Sequence, residues 1–285
     1  MRFVTLKDLI ADHVRDGQTL AMEGFTHLIP YAAGHEIIRQ GRRDLHLVRM
    51  TPDLIFDQMI GAGCARALTF SWGGNPGVGS LHRLRDAVEN GWPGPLELHE
   101  HSHAGMAAAY TAGASRLPFG MLRGYDHTDL AAANPQVRRV VCPYTGEALA
   151  TVPALNPDVT ILHAQKADRR GNILLVGIIG AQKEAALAAG TLLVTVEELV
   201  DELDAPMNAV VIPGFAVAAV AHVPGGAHPS YAHGYYARDN AFCRAWDEIA
   251  RKREPFLRWI DLHVRGTRDH AQFLRSLDPE GTHAG

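Results

Sequence analysis

Cysteine is scarce. Cys64, Cys142 and Cys243 are scattered through 285 residues, and no CxxC pair occurs. That spacing excludes a zinc knuckle and a dithiol redox site. An odd, well-separated set reads as free thiols of a reducing compartment. Runs of one charge sign are absent as well: 27 Lys and Arg face 31 Asp and Glu, a formal net charge of −4. There is no basic footprint for nucleic acid and no cationic stretch to hold a membrane surface. The longest uncharged stretch, Asn208 to Ala237, is broken by Pro213-Gly214 and by Pro224-Gly225-Gly226. A membrane helix needs an unbroken apolar run, so none is expected. The chain opens on Met1-Arg2-Phe3 and enters a helix almost at once. No signal peptide is expected, and the expected compartment is the cytoplasm.

Catalytic signatures are missing too. No GxSxG elbow supports a serine hydrolase. The loop Trp72–Ser80 is glycine-rich, but its order is GxxGxG. It is therefore not a dinucleotide fingerprint, and it is not a P-loop because Ser80 stands where Lys would be needed.

What is present is apolar material, 47% of the chain, enough for one large α/β domain over residues 1–285. No repeat, low-complexity tract or separating linker interrupts it. Thr5 with Asp8 three residues on reads as a helix N-cap, and Leu6, Leu9, Ile10 and Val14 form the helical stripe behind it. Strands are expected at Thr19–Phe25, Leu45–Met50, Ala67–Ser71, Leu96–Glu100, Val137–Cys142, Val159–Gln165 and Leu192–Val196. Helices are expected at Tyr31–Gln40, Ala104–Ala114, Ala181–Ala189 and Asn240–Lys252. Strands such as Val159–Ala164 and Thr191–Val196 are apolar on both faces, which predicts a mostly parallel sheet with helices on both faces. In such sheets ligands sit beyond the carboxyl ends of the strands. The segments to inspect are thus 23–27, 71–80, 100–103 and 165–172.

Each candidate has a plainer alternative. The glycines of Trp72–Ser80 could let the backbone approach a ligand, or could form a tight turn. A Gly24 N–H beside Phe25 could donate to a thioester oxyanion, or could mark a bend at a strand end. His99, His101 and His103 alternate as metal ligands on a strand face would. The segment passes from strand into helix, however, and no further ligand completes a set, so no metal is expected. Glu100 and His103 are better placed as polar pocket groups. The aromatic stretch Tyr231–Asn240 suits a subunit contact or surface role, with ligand binding the sharper alternative. Glu23, Glu100 and Glu147 are carboxylates without a recognisable nucleophile–base partner. The residues alone define a parallel α/β ligand-binding subunit with no convincing nucleophile, and they name no reaction.

Several motifs in register carry a likeness. Leu20–Thr26, Pro30-Tyr31-Ala32, Ile38–Gly41, Asn75–Val78, Ala112-Gly113-Ala114, Leu117–Phe119, His163-Ala164-Gln165, Ala167–Asn172 and Val194–Glu198 resemble A subunits of family I CoA-transferases. Gly226–Ser230, Gly234–Tyr236 and Asp239-Asn240 are shared with the glutaconate-directed branch. Glu23–Pro30, Phe70–His82 and Asp204–Asn208 resemble the branch that acts on 3-oxoadipate in aromatic catabolism.

The resemblance implies a CoA-transferase (NagB/RpiA-like) fold and coenzyme A as a substrate, with no further cofactor. It implies ping-pong chemistry in which succinyl-CoA donates to a dicarboxylic 3-oxo acid. In this family the nucleophilic glutamate lies on a B subunit, so no catalytic residue is expected in this chain. The partner is that B subunit, in a heterotetramer or larger assembly. Gly24 and Phe25 would lie near the oxyanion, Asn75, Pro76 and Gly77 beside the acyl group, with Thr26 as a further substrate contact and Glu100 and His103 as polar wall. Many relatives carry glycine where this chain has Glu23, a carboxylate that could contact the partner or repel a substrate class. The alternatives are a glutaconate-type transferase, a ring-opening CoA-thioester hydrolase leaning on Glu100, or a ligand-sensing module.

Overall fold

The computed structural model describes residues 2–126 and 128–277. Eight parallel strands form its main sheet. In spatial order they are β1 (Arg2–Phe3), β13 (Ala219–His222), β11 (Thr191–Val200), β9 (Val159–Asp168), β2 (Thr19–Glu23), β3 (Leu45–Val48), β4 (Ala65–Phe70) and β5 (Glu97–Glu100). Two short antiparallel strands, β10 (Ile173–Leu175) and β12 (Val210–Ile212), extend it beside β9. A separate antiparallel sheet joins β6 (Phe119–Leu122), β8 (Ala148–Pro153) and β7 (Arg138–Val141). The expected strand at Val137–Cys142 therefore exists but lies outside the parallel series. Its partner begins at Ala148, across a turn that contains Gly146 at φ 74°, and so short a connection can only give an antiparallel pair.

Apolar residues on both faces of the strands are met by helices on both sides. Leu20 and Met22 of β2 and Leu193 of β11 pack toward α1 (Leu6–His13), α2 (Tyr31–Arg39), α3 (Leu54–Gly61), α8 (Asn240–Ala250) and α9 (Arg253–Trp259). Ala21 and Val48 point the other way, toward α5 (His103–Ala114) and α7 (Gln182–Ala188). A one-turn helix, α6 (Leu130–Ala133), falls between β6 and β7 in the chain. The Thr5 hydroxyl caps α1 by accepting from the Asp8 N–H at 3.1 Å. Helix α3 has no signature in the sequence because every one of its residues is buried, which erases the amphipathic stripe that marks a surface helix. Its Asp57 carboxylate accepts from the Arg83 and Leu84 N–H groups at 2.8 and 2.9 Å and from Trp246 Nε1 at 3.0 Å. That carboxylate caps α4 (His82–Asn90), whose own N-cap, Leu81, makes no side-chain cap bond. It also ties α4 to α8.

A second buried polar group lies under the last helix, α10 (His270–Leu277). His270 Nε2 donates to the Gly225 carbonyl at 2.8 Å and His35 Nε2 to Gln58 Oε1 at 2.7 Å. Both Nδ1 atoms are buried without a partner, so a second proton on either ring would have nowhere to go. Burial pushes His270 down to about 4, with His228, His163 and Arg39 adding repulsion. His35 is driven in the same direction, first by burial. Between the unfolded pKa near 6.5 and the lowered folded value, the unfolded chain binds more protons. The stability is thus present above pH 6.5 and lost as pH falls toward 4. His270 alone accounts for about 2 kcal/mol lost between pH 7.5 and 5. Asp57, raised by burial to about 6, and Glu23, raised likewise, oppose this over part of the range; but the imidazoles lowered by burial outnumber them, since His27, His46 and His101 are lowered as well. Urea unfolding should give a lower midpoint at pH 5 than at pH 7.5, and His270→Asn should shrink the difference. A midpoint that does not move with pH would show that these rings are not buried neutral.

Candidate active site

From β2 the chain runs outward through β3, β4 and β5, then returns to β9 and leaves the other way through β11 and β13. The order reverses at the β2–β9 pair, and at such a switch point the diverging loops leave a crevice at the carboxyl ends of the strands. A cavity of about 450 Å³ lies there, displaced toward β3 and β4. A larger groove of about 760 Å³ opens between β1, β13 and α10, but it lies at the sheet margin, away from the switch point.

The cavity is assembled from four stretches of sequence and a late closing segment. Phe25, Thr26 and Ile29 follow β2, Arg49, Thr51, Asp53 and Leu54 follow β3, Trp72 and Pro76 follow β4, and His103 opens α5. Ser230, Tyr231, Arg238 and Cys243 close it from the far end of the chain. The closing segment is held down by main-chain bonds from Leu28 N–H to the Tyr231 carbonyl, 3.0 Å, and from Ala32 N–H to the Gly226 carbonyl, 3.0 Å.

Its deeper anchor is Glu197, which is 6% exposed. One Glu197 oxygen accepts from His163 Nε2 at 2.7 Å and from the Tyr236 hydroxyl at 2.5 Å, and the other accepts from the Gly225 N–H at 2.7 Å. Burial acts to raise this carboxyl, but these donors hold it below the usual range. A Cβ at residue 226 would stand 2.7 Å from the His163 ring, so glycine is required for the loop to seat. The motifs His163–Gln165, Val194–Glu198 and Gly226–Ser230, separate in sequence, thus meet in one buried knot.

Arg49 is 1% exposed and is the electrostatic centre of the cavity floor. It donates to both Asp53 oxygens at 3.0 and 3.3 Å and to the Gly24 carbonyl at 2.9 Å. Asp53 in turn caps α3 through the Ile55 N–H. Glu23 lies behind this pair, 2% exposed, accepting from the Met50 N–H and the Tyr110 hydroxyl at 2.8 Å each. Burial raises its pKa, with Arg49 the leading opposing influence. Glu23 therefore reaches neither a partner surface nor a ligand, which removes both roles considered for it.

The structure brings some expected site residues together and disperses others. Phe25, Thr26, Pro76 and His103 line the cavity. Gly24 does not, for its carbonyl serves Arg49 and its N–H supports the Glu23 carboxylate. A Cβ there would sit 2.6 Å from the Leu28 carbonyl, so close packing rather than oxyanion donation demands this glycine. Asn75 is buried and uses its amide to grip the Cys243 carbonyl at 2.7 Å, fixing the loop. Gly77 is exposed at the loop tip with φ 76°. Glu100 is exposed and contributes its carbonyl, not its carboxylate, to Asn134. The segment 165–172 does not reach the cavity, because β9 continues to Asp168 and turns back antiparallel into β10.

His99, His101 and His103 have separate surroundings. His99 lies near Gln136 and Glu97, and His101 bonds Tyr125 and Asn134. No group of three or more His, Cys, Asp or Glu is arranged to hold a metal among the described residues.

Arg49 and Asp53 carry no ligand signal in the sequence beyond Asp53 as a cap residue ahead of an apolar run, whereas Tyr231 and Arg238 belong to the aromatic stretch 231–240 and reach the cavity wall.

Thr26 adopts φ 63°, an unusual setting for a β-branched residue. Its hydroxyl lies 3.2 Å from that of Tyr231, and its carbonyl accepts from Ser230 at 3.1 Å. The closing segment therefore pins a strained residue at the cavity mouth. Chemically, the cavity offers cations and hydroxyl donors. The carboxylate facing it, Asp53, is committed to Arg49, and the Cys243 thiol is pushed up by burial. An activated nucleophile is not among these lining groups.

A parallel α/β subunit with a donor-rich cavity at the switch point is the class these features define. The chain belongs to the Coenzyme A transferase family, whose profile matches residues 3–222, and it is a CoA-transferase with that family's fold. It is 66% identical over 274 residues to the A subunit of 3-oxoadipate CoA-transferase from Pseudomonas knackmussii, covering 96% of this chain and 97% of that one. It is 32% identical over 296 residues to the A subunit of glutaconate CoA-transferase from Acidaminococcus fermentans, covering 97% and 92%. The crystal structure of glutaconate coenzyme A-transferase from the same organism superposes with a TM-score of 0.90 at 30% identity, over 98% of this chain and 93% of that one. The decarboxylase AibA/AibB, crystallised as a cysteine-to-serine variant, superposes with a TM-score of 0.75 at 31% identity, over 97% of each chain.

Proposed function

We propose that this chain is the A subunit of a heteromeric transferase that moves CoA from succinyl-CoA to 3-oxoadipate, the nucleophilic glutamate coming from a B subunit. One observation carries the division of labour: the cavity is rich in donors, yet its facing carboxylate is paired and its thiol unactivated. The 66% likeness to a 3-oxoadipate CoA-transferase A subunit supports the choice of acceptor.

In the reaction proposed, the partner's glutamate attacks the thioester carbonyl of succinyl-CoA and expels the CoA thiolate, leaving an acyl–glutamyl anhydride. The thiolate attacks the glutamyl carbonyl, releases succinate and forms a glutamyl-CoA thioester. The 3-oxoadipate carboxylate then displaces the thiolate, and the thiolate recaptures the acyl carbonyl, regenerating the glutamate. This chain contributes the wall that orients the acyl group, with Phe25, Thr26, Pro76 and His103 facing it. The assembly proposed is a heterotetramer or larger. A ring-opening hydrolase leaning on Glu100 gains no support from an exposed side chain that does not line the cavity.

The test is co-expression with the B chain and incubation with succinyl-CoA and 3-oxoadipate. The expected product is the 3-oxoadipate thioester. Borohydride trapping in the presence of acyl-CoA should mark the partner. A mark on this chain, or ring cleavage without acyl exchange, overturns the proposal.

A further inference from the structure

Two guanidinium groups line the cavity, and only one of them has its charge matched. Arg49 is paired with Asp53 through two bonds. Arg238 is half-buried beside Cys243, and among the described residues it forms no ion pair with a carboxylate. One of its N–H groups donates to the Pro76 carbonyl at 2.7 Å, and another contact is made with the Cys243 thiol. The neighbouring Asp239 accepts instead from His228 Nε2 at 3.1 Å and from the Phe242 N–H at 2.8 Å. A guanidinium carries five N–H donors in a planar fork that matches a carboxylate. Most of that fork is left for whatever occupies the cavity, and the Pro76 bond fixes its place.

Apolar side chains, Phe25, Leu54 and Trp72 among them, share the rest of the lining with the hydroxyl groups of Thr26, Thr51 and Tyr231. One guanidinium without a paired carboxylate, beside apolar surface and hydroxyl donors, suits a short methylene chain that ends in a carboxylate.

We propose that Arg238 is the specificity-determining residue of this site: it selects dicarboxylic acyl groups by pairing with the carboxylate remote from the thioester. The inference rests on the CoA-transfer reading and deepens it, since donor and acceptor would share this feature. An acyl group ending in methyl would leave the guanidinium unpaired on a partly desolvated wall, and sites built to bond a polar group discriminate strongly against analogues that lack it. Lysine would keep the charge but lose the fork.

The experiment uses the two-chain complex and two acceptors that differ only in the remote group, 3-oxoadipate and 3-oxohexanoate. Wild type should prefer the dicarboxylate. Arg238→Gln should lower the ratio of the two kcat/KM values roughly 30- to 100-fold, the scale of one lost charge-assisted contact. The loss should fall chiefly on KM for 3-oxoadipate, and Arg238→Lys should recover part of it. Calorimetric titration of the complex with either acid reads the same contact without turnover. Equal losses for both acids would mean that Arg238 only braces the Pro76 loop, and a ratio unchanged within about threefold would mean that it does not touch the acyl group. Either result overturns the inference. A complex that prefers another dicarboxylic acid to 3-oxoadipate overturns the proposed acceptor while leaving Arg238 to be judged on that acid. A complex that shows no preference for a second carboxylate refutes the role of Arg238.

Discussion

Arg49→Met should destabilise the protein by about 4 kcal/mol, because it strands a buried carboxylate rather than because it deletes a favourable pair. Arg49 and Asp53 are 1% and 4% exposed, so water cannot take over the solvation that either gives the other. A well-packed apolar substitute for a whole ion pair is often neutral, whereas removal of one member leaves an uncompensated charge. Glu23 lies just behind and is also held partly by Arg49. Methionine keeps part of the packing on Phe56, whose ring centre lies 5.7 Å from the guanidinium carbon.

In thermal unfolding the loss should lower Tm by about 10 °C for a chain of this size. The double variant Arg49→Met/Asp53→Asn should recover a good part of it, since asparagine still caps α3 and the stranded Asp53 charge is gone, while Glu23 keeps its bonds from Met50 and Tyr110. A single variant within about 1 kcal/mol of wild type, or a strictly additive pair, would show that the floor is not organised around this ion pair.

The second large effect is expected at Asp57, which lies on α3 behind the cavity-lining Asp53 and Leu54. Asp57→Ala removes the acceptor for two amides at the start of α4 and for the indole of Trp246. Each buried donor left without a partner costs about 1–3 kcal/mol, and the sum should approach 4 kcal/mol, again visible as a fall in Tm of about 10 °C. Asp57→Asn should cost less, because its oxygen can still serve the two amides while its NH₂ meets the indole N–H as an unmatched donor. Loosening α8 should also reach the cavity, since Asn75 holds the Cys243 carbonyl of that helix and Cys243 lines the wall. KM for acyl substrates should therefore rise in Asp57→Ala along with the loss of stability. Equal stability of the alanine and asparagine variants would show that Asp57 is not capping α4.

The parts of the fold legible in sequence were those whose period survives burial. β9 and β11 announce a covered parallel sheet because both their faces are apolar, and α8 is readable because it keeps a wet face. α3 was not, since full burial removed its stripe. Of the antiparallel trio only Val137–Cys142 is legible as a strand, Phe119–Leu122 and Ala148–Pro153 are not, and the apolar period does not say which sheet a strand joins.

The site divides in the same way. Loops after β2, β4 and β5 could be nominated from strand ends alone, and Phe25, Thr26, Pro76 and His103 reach the cavity from them. Arg49 and Asp53 carry no such mark, because nothing in a linear chain says that a strand end and a helix cap will be buried together. Arg238 is nearly 190 residues from Arg49 by numbering, and only the loop anchored on Glu197 brings it near.

That anchored loop has a consequence during synthesis. The chain leaves the ribosome from its amino end, and domains tend to fold as units once enough of them has emerged. The floor of the cavity, built from residues 25–54, is made early, yet the wall carrying Ser230, Tyr231 and Arg238 is translated only after β11 and β13. A nascent or prematurely ended chain therefore has the sheet strands that seat Glu197 but no segment to tie to it. It presents an open crevice in place of a shaped one, and the cavity takes its form only once residues 226–243 have emerged.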